Sequence, residues 1–453
     1  MGSWRAIRFA ALVVASLLAC DGQDDEAPED VGAPGCIASL ALSTLSSCVQ
    51  FDSGDVSCFG WNRCGELGVG EASGSRVHPQ PILGLSGVRA LNGGSWGFCA
   101  VGPDATGWCW GVNADERLGD PASDATCDMR GPFLAEPTRT LDLVGVTDID
   151  LGSSHACAVL EDGAVGCWGN NEMNQLGGGT EEAVSSAMVP VDLAPVRQLR
   201  SGYQGNCALL ADDTVSCWGY VPGDLSSPDT PTDAGLTDVT QLAVHGNTYY
   251  ALAADRTLWS WGANGDGELG IGTEGAPAGP VHIDTLADVV QVAAGGHHAC
   301  ALLGSGEVWC WGANYYGQIA PPGAPASSMP VKVEGIPLAA AISAGQDHNC
   351  IVARDGSVHC WGCNCCYQLG SGPQTQCNSE NPGSGPLLAE ITCPATDSQT
   401  SFYGCAAASG DDPVGAGIGA ALLALLCWAR RRRSPGPRSC SRSAWRDPRM
   451  TSR

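Results

Sequence analysis

From Cys157 to Gly169 the chain alternates apolar or small residues on both sides of a polar centre, Glu161-Asp162-Gly163. Alternation of period two predicts strands, and Asp-Gly between two such arms predicts a hairpin with Gly163 at the positive φ of a G1 bulge. A three-residue loop then sets the register. Leu160 faces Ala164, Val159 faces Val165, Ala158 faces Gly166 and Cys157 faces Cys167. Counting outward makes the cysteines a non-hydrogen-bonded pair, with Cα atoms about 4.5 Å apart, which a disulfide spans.

The same pattern recurs along the chain. Cysteines ten positions apart pair Cys48 with Cys58, Cys99 with Cys109, Cys157 with Cys167, Cys207 with Cys217, Cys300 with Cys310 and Cys350 with Cys360. Each second cysteine is followed by Phe-Gly or Trp-Gly. These predict six disulfides, in hairpins centred on residues 53, 104, 162, 212, 305 and 355. A further copy, centred on residue 255, has Tyr250 and Ser260 in place of the cysteines. Losing both together is what a bonded pair predicts. The aromatic-Gly steps along the chain are 51, 58, 50, 43, 50 and 50 residues. Between hairpins most copies carry an Asn (Asn62, Asn113, Asn170, Asn264, Asn364), a Leu-Gly, a Pro-led strand and a Val-rich strand ending in Gly. Four strands per copy is the content of one propeller blade. The aromatic after each second cysteine should pack on the neighbouring blade. The chain opens at Cys36 without a Pro-led strand and closes on Pro386-Leu-Leu-Ala-Glu-Ile-Thr-Cys393, so the last strand is expected to complete the first blade. Cys36 and Cys393 then fall at consecutive positions of one virtual repeat, where a disulfide would lock the ring; Cys377 and Cys405 are rival partners for Cys393. Cys64, Cys127, Cys363, Cys365, Cys366 and Cys377 are left for three further bonds, with 15 possible connectivities.

The run Ala294-Gly-Gly-His-His-Ala-Cys-Ala-Leu-Leu through Val308-Trp-Cys-Trp-Gly-Ala-Asn to Gln318 resembles the repeat of the regulator-of-chromosome-condensation family. The resemblance implies an all-β, seven-bladed β-propeller of four-stranded antiparallel blades over residues 36–393, closed by the N- and C-terminal strands. Copy four, with Tyr220-Val-Pro-Gly-Asp after its Trp-Gly, and copy six, with Gln318-Ile-Ala, are expected to change loops and not blade number. The second copy is the longest, and its extra loop Gly119 to Pro137 is the expected part of a binding face.

Flanking segments bear on location. Residues 1–19 have Arg5 and Arg8 ahead of an apolar run, the layout of an export signal. Leu17-Leu-Ala-Cys20 resembles a bacterial lipobox, which implies lipid attachment at Cys20. Residues 20–35 form an acidic tether and 394–413 a polar linker. Residues 414–429 are apolar but span about 24 Å as a helix, short of the ~30 Å hydrocarbon core. With Gly404-Cys405 before them and the basic tail 430–453 after, they resemble the carboxy-terminal sorting tail of myxobacterial surface proteins, which implies processing at Cys405.

Charge and composition narrow the function. Twenty-four cysteines, half of them in six regular pairs, point to an oxidising compartment. The net charge is −26, and residues 21–429 hold 11 basic against 47 acidic residues, a body of −36 that repels phosphate backbones. Nucleic acid is therefore not an expected partner. His155, His298 and His348, two residues before blade cysteines, are expected to make structural hydrogen bonds. Asn264-Gly-Asp-Gly-Glu268 has the start of a calcium loop without its remaining ligands, and turn chemistry accounts for it. No nucleotide loop, nucleophile elbow or zincin motif is present. The expectation is a non-enzymatic, monomeric propeller without catalytic residue, cofactor or metal, which binds a protein or surface polymer through loops on one face and is held at the membrane by lipid or a C-terminal anchor. The family resemblance also implies guanine-nucleotide exchange as an alternative, and the propeller fold in general admits a carbohydrate-directed enzyme.

Overall fold

The computed structural model describes residues 36–391, except 121–124, 128–129, 223–227, 276, 278, 373–383 and 390. The expectations for residues 1–19, 20–35, 394–413, 414–429 and 430–453, and for Cys20, Cys377, Cys393 and Cys405, lie outside these residues. No helix among the described residues is long and apolar enough to cross a membrane.

Seven antiparallel sheets follow one another, each from one contiguous segment. In blade 3 the strands are Val146–Leu151, His155–Leu160, Val165–Asn170 and Val184–Val191, paired in chain order. The hairpin register is the one its sequence specifies: Cys157 faces Cys167, Ala158 faces Gly166 and Val159 faces Val165. Leu160 N–H donates to Ala164 O across a turn in which Gly163 has φ 82°. The six cysteine pairs ten positions apart are all disulfide-bonded: Cys48 to Cys58, Cys99 to Cys109, Cys157 to Cys167, Cys207 to Cys217, Cys300 to Cys310 and Cys350 to Cys360. Their Cα atoms lie 4.0–4.1 Å apart, closer than the roughly 4.5 Å usual for non-hydrogen-bonded partners. In blade 5 Tyr250 and Ser260 face each other at the same place. There Ser260 Oγ donates to Leu269 O at 2.8 Å, and the Tyr250 hydroxyl donates to Glu268 O.

Two expectations need correction. The C-terminal strand Ser384–Leu388 pairs with Val358–Gly362 of blade 7, not with blade 1. Blade 1 is complete by itself, from Ile37–Leu42 to Arg76–Pro81. The reason is local: each Pro-led strand pairs with the hairpin just before it in the chain, so no strand is left over. The ring seam is therefore a packed interface between blades 1 and 7. Ile391 packs there against the same two buried clusters as Ile37 and Leu40. Blade 2 also departs from four strands, since its insertion adds Thr126–Cys127 as a fifth at the outer edge.

The faces of the blades bury one another. Trp168 packs between blades 2 and 3 with Leu118 and Ile149, and Trp311 against blade 5 with Leu258 and Ile283. Phe59 does the same at the seam, its ring against Gly370. The indole N–H of each such Trp donates to a loop carbonyl of the preceding blade: Trp110 to Glu66, Trp168 to Arg117, Trp218 to Gln175, Trp311 to Glu268 and Trp361 to Gln318. The ring supplies the buried apolar area while its one polar atom stays bonded. Gly169, at φ 99°, follows Trp168 because a Cβ there would meet Ser154 O at 2.7 Å.

First strands line the central channel, a cavity of about 170 Å³. Along it, amide side chains clasp the next blade. Gln241 exchanges two hydrogen bonds with the Val292 backbone, both 3.2 Å, and Gln291 two with Ile342, both 3.0 Å. Asp148 fills this role in blade 3, accepting from Leu199 N–H and pairing with Arg200 at 3.0 Å. Blade 7 has Ala341 at this place, opposite Val352, and so presents no such clasp to blade 1.

Candidate functional site

One face of the ring carries two sets of loops from every blade, those joining the first and second strands and those after Trp-Gly. The second set is built around a repeat Asn, three residues after the aromatic. Its Oδ1 accepts the N–H of the buried Leu or Ile five residues on: Asn62–Leu67, Asn113–Leu118, Asn171–Leu176, Asn264–Leu269, Asn314–Ile319 and Asn364–Leu369. In blade 3 the bonding residue is Asn171 and not the expected Asn170, because Asn171 is the one that stands three residues after the aromatic Trp168. A Glu or Gln then caps the loop, accepting from the N–H two residues earlier, as Glu66, Gln175, Glu268, Gln318 and Gln368 do.

Blades 1 and 2 give this face a cationic, aromatic quadrant. Cys127, on the inserted loop, is bonded to Cys64 on the blade 1 loop, which settles that pair among the open connectivities. The Arg130 guanidinium lies 3.8 Å above the Trp96 ring and 5.7 Å from Trp61, and Arg63 lies 5.1 Å from Trp61. Beneath them Glu66 is buried, which raises its carboxyl to about 7 against the pull of Cys64 N–H and of Arg130 and Arg117. Arg117 is fully buried, its guanidinium donating to Val112, Gly152 and Ser153 carbonyls. Burial lowers it to about 10, so it remains a cation.

Blades 5 to 7 give the opposite charge. Asp266 and Glu268 come from the blade 5 loop, His297 from blade 6 and Asp347 from blade 7. His297 Nδ1 lies 3.5 Å from Glu268 Oε1 and 3.7 Å from Asp266 Oδ2. The Glu268 carboxylate beside it raises the His297 imidazole above its ordinary value, against burial. Burial raises Asp347 to about 6, with His297 pulling it back. Tyr315, half-exposed, donates to Asp266 Oδ1 at 2.5 Å. Nearby, Cys365 Sγ lies 3.4 Å from Cys366 Sγ. At the channel mouth Tyr203 OH donates to Gln346 Oε1 at 2.6 Å, joining blade 4 to blade 7.

The histidines singled out from sequence do not converge. His155 bonds Asn206 at 2.8 Å, His298 bonds Asn349 at 2.9 Å and His348 bonds Ser47 at 2.9 Å, each across a blade interface. Burial holds His155 and His298 down at about 4 and His348 at about 3. The functional grouping that sequence reasoning missed is His297 with Asp266 and Glu268. The loop motif signals only the carboxylates; His297 lies a blade further on. Cys36 and Cys363 are also disulfide-bonded.

Known proteins share the repeat and the fold. Models of the regulator of chromosome condensation (RCC1) repeat match residues 146–175, 256–302, 289–318, 305–352 and 339–368. The chain is 29% identical over 152 residues to the human E3 ubiquitin-protein ligase HERC2, covering 33% of this chain and 3% of that protein. It is 30% identical over 168 residues to the ultraviolet-B receptor UVR8 of Arabidopsis thaliana, covering 36% of each. The match thus spans about a third or less of these relatives. Among solved structures, yeast RCC1 (Prp20), crystallised with Kap60 bound, superposes with a TM-score of 0.65 at 20% identity, covering 86% of this chain and 92% of that one.

Proposed function

We propose that this chain, a seven-bladed propeller with matches to the RCC1 repeat and a hairpin disulfide in six of its blades, is a non-catalytic binding module of the cell envelope that docks a protein or surface polymer on its loop face. The observation that carries this reading is the Cys64–Cys127 staple, which fixes an inserted loop beside Trp96 and Arg130. An insertion held by a covalent bond to the neighbouring blade, with a guanidinium stacked on an indole, offers a rigid patch of the kind that anchors interfaces. Yeast RCC1, which shares this fold, is itself bound by a protein, Kap60. Seven disulfides joining described residues suit an oxidising compartment. Export by residues 1–19 and retention through Cys20 or the 414–429 segment complete the proposal; mass spectrometry of the mature N-terminal peptide tests the lipid.

The experiment is capture from surface extract with the full chain and with Trp96→Ala and Arg130→Ala variants. A partner retained by the wild type and lost at least tenfold by both supports the reading. Equal retention by all three overturns it. Stimulated nucleotide release from a small GTPase would replace it with the exchange reading.

A further inference from the structure

We propose that Asp266, Glu268 and His297 form a binding site for one first-row divalent cation of the zinc class. The three donor atoms come from two blades and lie within 4.8 Å of one another. Two carboxylate oxygens and one imidazole nitrogen are a borderline donor set that suits zinc better than calcium or magnesium, which take oxygen alone.

Spacing separates a metal site from a simple ion pair. A proton on His297 Nδ1 would draw a carboxylate to the ~2.7–2.9 Å of a charge-assisted hydrogen bond. The observed gaps are 3.5 and 3.7 Å. Two ligands about 2.0–2.1 Å from a tetrahedral zinc stand ~3.4 Å apart, which these gaps approach.

Each carboxylate is also oriented as a ligand would be. Asp266 Oδ1 is held by Tyr315 OH, leaving Oδ2 to face His297. Glu268 Oε2 accepts Asp266 N–H at 2.8 Å, leaving Oε1 to face His297. The Glu268 backbone is anchored in turn, its carbonyl accepting from Trp311 Nε1 and the Tyr250 hydroxyl. Such outer contacts fix the geometry of metal ligands.

A second, independent observation is the charge at the site. Asp347, nine-tenths buried, faces His297 as a further carboxylate. Among the described residues its side chain receives one hydrogen bond, from Gln318 Nε2 at the outer limit of 3.5 Å. No lysine or arginine among the described residues forms an ion pair with Asp266, Glu268 or Asp347. Three carboxylates thus share one imidazole, and a dication would balance them. His297 is about half exposed, which leaves a path for entry.

The test is zinc titration by calorimetry of the full chain, made without a histidine tag, stripped with chelator and alkylated so that thiols cannot bind. Glu268→Gln is the decisive variant. It places in blade 5 the amide that Gln175, Gln318 and Gln368 already carry at the same loop position, so the loop cap is kept. One zinc per wild-type chain is expected, weakened tenfold or more by Glu268→Gln and by His297→Ala and less by Tyr315→Phe. Absence of stoichiometric zinc, wild-type zinc affinity retained in both Glu268→Gln and His297→Ala, or calcium bound more tightly than zinc would overturn the proposal.

Discussion

A buried histidine in each of several blade interfaces works as a neutral hydrogen-bonding group. His298 illustrates the consequence. Its folded pKa, lowered by burial to about 4, lies below the ordinary 6.5. The unfolded chain binds this proton below about 6.5 and the folded chain does not, so the stability the neutral ring contributes at pH 7 is lost as pH falls toward 4. Replacing it by Asn, which cannot be protonated, removes that loss. The difference in melting temperature between wild type and His298→Asn should therefore narrow, or change sign in favour of the variant, between pH 7 and pH 4. A constant difference would show that the ring titrates alike in both states. Trp311 carries a larger effect by another route. Trp311→Ala empties a fully buried site and leaves the Glu268 carbonyl without its indole donor, and should cost about 3–5 kcal/mol in denaturant unfolding.

At the scale of the element, the hairpin was the most legible object in the sequence. Its turn residues and its alternation specify the register, and the register specifies which cysteines can bond. Cys58, Cys109, Cys217, Cys310 and Cys360 each meet the cysteine ten positions earlier for the reason that Cys167 meets Cys157. The same logic explains why Tyr250 and Ser260 stand opposite each other and why blade 5 uses their hydrogen bonds in place of a disulfide. Removing Cys157 and Cys167 together by substitution with Ala should destabilise blade 3 by roughly 3 kcal/mol from loop entropy, read as a lower denaturation midpoint. Less legible was which strands share a sheet. A Pro-led strand has equal claim in sequence to the hairpin before it or after it, and only pairing decides, as Ser384–Leu388 beside Val358–Gly362 shows. Least legible were contacts between loops of different blades. Cys64 with Cys127, and His297 with Asp266, are set by the angle at which blades stack, and no local spacing records that angle.

Across the whole molecule, most blade boundaries repeat one set of contacts and the seam does not. Gln241 and Gln291 clasp the next blade, while Ala341 leaves the last boundary to Ser47, His348, the Phe59 ring and the closing segment. Hydrogen exchange should accordingly be fastest, among first strands, in Ile37–Leu42. If the Cys36 disulfide is made with Cys393, single Ser substitutions at either should lower the melting temperature equally and the double variant no further. Additive losses would assign Cys36 another partner.

The seam also bears on how the ring comes into being. Trp311 finds its acceptor 43 residues back, and each such boundary can form as soon as the next blade emerges. Ser47 must wait for His348, 301 residues later. Boundaries of short sequence separation form early and the distant one late, because loop closure has to precede its reward. Blade 1 therefore presents a bare apolar flank throughout synthesis, and a chain halted before its seventh blade has two such flanks. Each is shaped to receive a blade of this same architecture, so the hazard specific to this ring is a neighbour's blade arriving before its own.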